Sequence, residues 1–174
     1  MSEVPEGVDL SGFVRKPPRP TATMTLTRDG PNGPEVLLGL RSETMAAFPG
    51  YWAFTGGGVS RVDGAAVESF SVLDVEHGKF IACILRETCE ELGVAPNGDH
   101  LISIDENARF DVIKDKANWL PHAEDCNIPV NVDNINILGH RITPPFGPVQ
   151  FDNAFIHFHC GDWQSVPEID LEPQ

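Results

Sequence analysis

The stretch Arg86-Glu87-Thr88-Cys89-Glu90-Glu91-Leu92-Gly93-Val94 constrains this chain most. Glu87 stands three residues before Glu90 and four before Glu91. On a helix those spacings put all three carboxylates over one patch. Like charges so placed repel and weaken the helix, so something positive has to compensate. Arg86 adjoins the cluster and is suited to a two-point pair with one carboxylate, which would fix its rotamer. The remaining charge suits a hard divalent cation, because such ions prefer oxygen ligands. Mg²⁺ in particular keeps several waters and combines a few carboxylates with the phosphate oxygens of a substrate. A bare E-x-x-E-E is more often a solvated acidic face, so the surrounding pattern has to decide.

That pattern is helical from Lys79 to Leu92. Ile81, Ile84, Leu85, Thr88 and Leu92 fall on one side, and Arg86, Glu87, Glu90 and Glu91 towards the other. Gly93 is placed to end the helix with a positive φ. Upstream, "TATMTLTRDG" alternates Thr with Ala22, Met24 and Leu26 and reads as a half-buried strand. "RDGPNGP" is turn chemistry and "EVLLGLR" a second strand, so residues 21–41 are expected to form a hairpin. "GYWAFTGGGV" begins as a short aromatic strand and ends in Gly56-Gly57-Gly58, which lets backbone approach another segment or a phosphate closely. Phe48, Trp52 and Phe54 are expected in the core, with ring stacking on a ligand the less favoured role.

Residues 59–77 carry mixed signals and read as loop, with a helical turn near 65–70. "HLISID" reads as a strand and "ANWLPHAEDC" as a short helix. "INILGHRI" and "NAFIHFHC" read as the last strands. Strands at both ends with helices between them suggest an α+β domain, an α/β/α sandwich. Residues 1–18, with Pro5, Pro17 and Pro18, read as a flexible arm ahead of a domain over 19–174.

Composition narrows the partners. The formal net charge of −14 argues against nucleic acid or an anionic membrane. No stretch approaches the length of a membrane span. The N-terminus lacks the basic start and apolar run of a secretory signal, so the expected location is cytoplasmic. Cys83, Cys89, Cys126 and Cys160 form no CxxC and read as reduced thiols. In "HFHC" a strand would put His157 and His159 on one face and Cys160 on the other, which disfavours a zinc site. His140, His157 and His159 are therefore expected in structural roles.

"RETCEELGV" resembles the second half of the Nudix box, R-E-U-x-E-E-x-G-U, where U is aliphatic. Its charged and glycine positions all match, Val94 fits, and Thr88 takes an aliphatic position. "AFTGGGV" resembles the strand and glycine turn that open the box, with Thr55 where proline is common. The first half departs. The family has a glutamate eight residues before the arginine, and here that residue is Gly78. The span from Gly58 to Arg86 is about twice the usual one, so 59–77 resemble an insertion. Glu68, Asp74 and Glu76 are the candidate substitutes, Glu76 being nearest.

The run from residue 19 to the glycine turn, with "HRITPPFGPVQFDNAFIHFHC" later, resembles the long-insertion Nudix branch that includes coenzyme A diphosphatases. The polar tail "VPEIDLEPQ" shows no helix, which leaves the domain without the family's last helix or the chain a fragment.

The resemblance implies a Mg²⁺- or Mn²⁺-dependent hydrolase that cleaves a pyrophosphate bond in a nucleoside diphosphate derivative, with coenzyme A or an acyl-CoA as leading substrate. It implies that Glu87, Glu90 and Glu91 hold metal. Glu87 and Glu91 would join Arg86 in catalysis, Glu87 as a ligand or as the base acting on water. Gly56, Gly57 and Gly58 would shape the turn beside the metal, and Arg41 would reach phosphate. A catalytically weak nucleotide-binding or regulatory module is the alternative. A homodimer or an additional domain stays open.

Overall fold

The structure is a computed structural model and describes residues 6–7, 17–45, 48–66, 75–114, 132–144 and 149–161. Nine strands and three helices lie in these residues: β1 Arg19–Gly30, β2 Gly33–Val36, β3 Gly39–Leu40, β4 Trp52–Ala53, β5 Thr55–Gly58, α1 Arg61–Ala66, α2 Val75–Leu92, β6 Val94–Asn97, β7 His100–Ser103, α3 Glu106–Lys114, β8 Ile135–Ile142 and β9 Phe151–Cys160.

β1 organises the main sheet. Its alternation buries Ala22, Met24 and Leu26 on one face, the period-2 pattern of a strand with one face on the core. β9 pairs with it in parallel over the run Arg19–Arg28 against Phe151–Cys160. Two short antiparallel strands share its other edge: β2 opposite residues 27–30 and β5 opposite residues 21–24. β8 closes the far side against β9, with a bulge between Ile137 and Gly139. The sheet is thus mixed, in the order β2-β1-β9-β8 with β5 also on β1.

α2 lies on the apolar face. Phe80, Ile81, Ile84, Leu85 and Leu92 pack with Met24, Leu26, Ile156 and Phe158 into one core. α1 and α3 both pack against α2. The α+β class and the mixed sheet with flanking helices are as expected. His157 and His159 meet on the outer face at the Thr27 hydroxyl, at 2.7 and 3.0 Å. Cys160 points inward and is buried.

Several local expectations are corrected. The helix begins at Val75, not Lys79. Of the turn expected near 65–70, residues 65 and 66 belong to α1, which starts at Arg61 behind a Ser60 cap, and 67–70 lie outside the described residues. β6 and α3 were not expected. α3 is polar, burying only Ala108 and Val112, and so leaves little periodicity to read.

Phe48, Trp52 and Phe54 are not core residues; their relative exposures are 71%, 65% and 40%. Among the described residues β4, which carries Trp52, pairs only with the two-residue β3, apart from the main sheet. The arm expected over 1–18, the helix expected over 117–126, Cys126 and the tail fall wholly or mostly outside the described residues. No described helix is long and apolar enough to cross a membrane.

Candidate active site

The site forms where the end of β5 meets the last two turns of α2. The register sets Gly57 opposite Ala22 and Gly56 opposite Thr23. A side chain at Gly56 would meet fixed backbone at the Ala22 carbonyl oxygen, and one at Gly57 would have to displace the Glu87 carboxylate. The glycine run therefore brings strand backbone directly against the acidic helix face. Gly56 N–H donates to Glu91 Oε2 at 3.2 Å. Gly58 carbonyl oxygen accepts from Arg86 Nη2 at 3.3 Å.

Arg86 is the hub, with only 2% of its surface exposed. Nη1 donates to Glu87 Oε1 at 2.8 Å and to Glu90 Oε1 at 3.3 Å. Nε and Nη2 meet the two oxygens of Asp63, each at 3.0 Å. Burial alone would lower the pKa of this guanidinium, but the hydrogen bonds and charge of Asp63 outweigh it and hold the group protonated.

Asp63 was not among the expected site residues. It is fully buried, at 0% exposure. Oδ2 also accepts from the backbone N–H and hydroxyl of Ser60, at 2.7 and 2.9 Å, while Asp63 N–H donates to Ser60 Oγ at 3.3 Å. This is a capping box with aspartate in the third position. The signal was readable: "SRVD" directly after the glycine turn has the S-x-x-D form. The start of 59–77 thus gives Arg86 a carboxylate partner. Glu68 and Asp74 lie outside the described residues, as does the side chain of Glu76.

Thr88 occupies its aliphatic position by satisfying its own hydroxyl, which donates to the Ile84 carbonyl at 2.7 Å inside the helix. Cys83 lies below the glycine run, its thiol 3.8 Å from the Gly57 carbonyl oxygen. Burial pushes the Cys83 thiol up, and the Asp63 charge adds to the shift, so it stays a neutral thiol.

Glu91 is the carboxylate whose proton affinity departs most clearly from normal. Its pKa is pushed up to about 7, first by burial and then by the Glu87 charge, against the downward pull of the Gly56 N–H and of Arg41. The Arg41 charge therefore acts at the carboxylates, and this side chain belongs to the neighbourhood of the site. Its backbone is pinned by Tyr51, whose carbonyl accepts from Arg41 N–H at 2.9 Å. The structure brings together Arg41, Gly56, Gly57, Gly58, Arg86, Glu87, Glu90 and Glu91, with Asp63 added.

Arg86 meets three carboxylates, those of Asp63, Glu87 and Glu90, and one guanidinium cannot neutralise all three. The donor chemistry, all carboxylate oxygen, suits Mg²⁺ or Mn²⁺. Among the described residues no three His, Cys, Asp or Glu side chains already converge as a metal cage. A Mg²⁺ ion does not require one, since it usually takes one or two carboxylates and completes its shell with water and phosphate.

The chain is similar to the crystal structure of a Nudix hydrolase from Alicyclobacillus acidocaldarius, at 26% identity and a TM-score of 0.75, over 91% of this chain and 76% of that one. A MutT/nudix family protein from Enterococcus faecalis is 19% identical with a TM-score of 0.49, over 98% of this chain and 42% of that one. The NUDIX domain of Shewanella oneidensis NrtR, solved with ADP ribose, is 14% identical with a TM-score of 0.47, over 91% of this chain and 75% of that one. No family model and no curated protein matches the chain. The fold is that of the Nudix hydrolases. Together with the box residues assembled around Arg86, the Alicyclobacillus likeness supports a place for this chain in the Nudix superfamily.

Proposed function

We propose that the chain is a divalent-metal-dependent hydrolase that cleaves the pyrophosphate bond of a nucleoside diphosphate derivative. The observation that carries the reading is the carboxylate patch gathered by Arg86 against the Gly56–Gly57 backbone. Glu87, Glu90 and Glu91 are the residues that would hold the metal. When bound, Mg²⁺ or Mn²⁺ supplies charge neutralisation at the phosphates and a lowered pKa for an attacking water.

The chain's own residues do the rest. Arg86 fixes the rotamers of Glu87 and Glu90 through Nη1. Asp63 holds Arg86 by two bonds. Glu91 accepts from the Gly56 N–H, which holds its carboxylate against the glycine turn. Glu87 is a metal ligand or the base acting on water. Arg41 is a phosphate contact beside the patch. Tyr51 and Trp52, each 65% exposed, lie on the segment whose backbone bonds Arg41 and offer aromatic faces to a ring of the substrate.

Coenzyme A or an acyl-CoA is the leading substrate class, on the resemblance of the segments before and after the box to the coenzyme A diphosphatase branch. The alternative, a catalytically weak or inactive nucleotide-binding or regulatory module, rests on Gly78 in place of the box glutamate and on the last helix missing from the sequence pattern. The pairing of Asp63 with Arg86 weighs towards the hydrolase.

The experiment is a phosphate-release screen over coenzyme A, ADP-ribose, NADH, dinucleoside polyphosphates and nucleoside triphosphates, each with Mg²⁺, Mn²⁺ or EDTA. Metal-dependent release from at least one diphosphate is expected. Binding of a diphosphate without turnover of any would replace the hydrolase with the binding module.

A further inference from the structure

The last turn of α2 carries Glu90 and Glu91, and carbonyl groups in such a turn have no helical N–H ahead of them. Arg109, in the first turns of α3, reaches across to them. Its Nε donates to the Glu90 carbonyl at 3.0 Å. Its Nη2 donates to the same oxygen at 2.8 Å and to the Glu91 carbonyl at 3.0 Å.

Several segments build this contact. α2 stops at Gly93, whose φ of +65° suits glycine. A Cβ there would sit 3.3 Å from Arg109 Cδ, so the glycine also leaves room for the arginine stem. After the β6–β7 hairpin, Ile104 N–H returns to the Gly93 carbonyl at 2.8 Å. Asp105 then caps α3, accepting from the N–H groups of Asn107 and Ala108 at 3.0 and 3.4 Å. Ala108 and Val112 anchor α3 in the interior. A cation at a helix C-terminus opposes the negative end of the helix dipole. The planar fork of arginine spans two carbonyls where a lysine ammonium would be a single point.

We propose that Arg109 is a positioning residue for a divalent cation at the Glu87–Glu90–Glu91 patch. It acts through the backbone, holding the turn from which Glu90 and Glu91 project. The inference rests on the reading of those carboxylates as metal-holding.

The test is Mn²⁺ binding to the full chain, followed by electron paramagnetic resonance without substrate, well below the unfolding temperature. Arg109→Ala with an unchanged circular dichroism spectrum is expected to bind Mn²⁺ about tenfold more weakly, as when a residue behind a metal ligand is lost. Arg109→Lys is expected to fall between it and the parent chain. A purely structural arginine would lower the melting temperature and leave Mn²⁺ affinity unchanged, and that result overturns the inference. If Arg109→Ala does not fold, Arg109→Lys decides alone, and parent-like affinity overturns it. A parent chain that binds no Mn²⁺ sinks the metal reading and this inference together. A parent that binds, with affinity indifferent to Arg109, sinks the inference alone.

Discussion

Asp63 and Arg86 face each other in a two-point contact, Oδ1 to Nε and Oδ2 to Nη2, both at 3.0 Å, with neither side chain more than 3% exposed. Removing one member of such a pair strands the other charge in the interior. Asp63→Ala is expected to cost about 3–5 kcal/mol, the usual penalty for a broken buried pair. Urea denaturation measures it. A loss below about 1 kcal/mol would mean that Glu87 and Glu90 suffice to hold Arg86.

Gly57 and Gly58 are neighbours with opposite expectations. A methyl on Gly57 displaces the Glu87 carboxylate, while one on Gly58 meets nothing within 4 Å. Gly57→Ala should fold and lose turnover by about 100-fold, the scale of a misplaced catalytic group. Gly58→Ala should keep near-parent turnover. Equal kinetics for the two variants would remove Glu87 from the mechanism.

Glu91 links the site to pH. Its carboxyl titrates at about 7 in the folded chain, against 4.5 ordinarily. The folded state thus keeps a proton that the unfolded chain releases. Its stabilising contribution is complete below about pH 4.5 and is lost as pH rises to about 7. Glu91→Gln lacks this loss. In EDTA its melting temperature should match the parent's near pH 4.5 and exceed it at pH 8. Mg²⁺ at pH 8 should raise the parent's melting temperature more than the variant's. A parent–variant difference that does not change with pH would refute the assignment.

The exposed aromatics test the corrected core. Trp52→Ala and Phe48→Ala should change stability by no more than about 0.5 kcal/mol, as for surface positions. Phe158, only 1% exposed, should cost about 3–5 kcal/mol on the same truncation. Thermal denaturation of the three variants decides. A large cost at Trp52 would mean that β4 is covered in solution.

Legibility in the sequence followed physical period. β1 and β9 were readable because Ala22, Met24 and Leu26 and then Ala154, Ile156 and Phe158 alternate cleanly against one buried face. The acidic end of α2 is readable because three- and four-residue spacings share a helix face and the apolar positions and Gly93 mark the helix around them. Asp63 is hard to read in sequence because its partner Arg86 lies 23 residues away across an intervening segment, far from the fixed box spacing. Arg109 escaped for a different reason. Its partners are backbone carbonyls, which carry no residue identity to recognise. Trp52 and Phe54 misled because aromatic composition says apolar without saying which sheet the strand joins.

The parallel pairing of β1 with β9 sets an order on synthesis. Arg19 finds its neighbour only when Phe151 has been made, and the central ladder needs Cys160 as well. Ring closure over so long a chain is slow, and each doubling of length adds only about 0.6 kcal/mol of entropy cost. The delay matters more than the cost. While the ribosome is still adding the middle of the protein, β1 stands with one edge unpaired and Met24 and Leu26 uncovered on that side of the sheet. Such an edge is a template on which the same strand of another nascent copy can pair until β9 arrives.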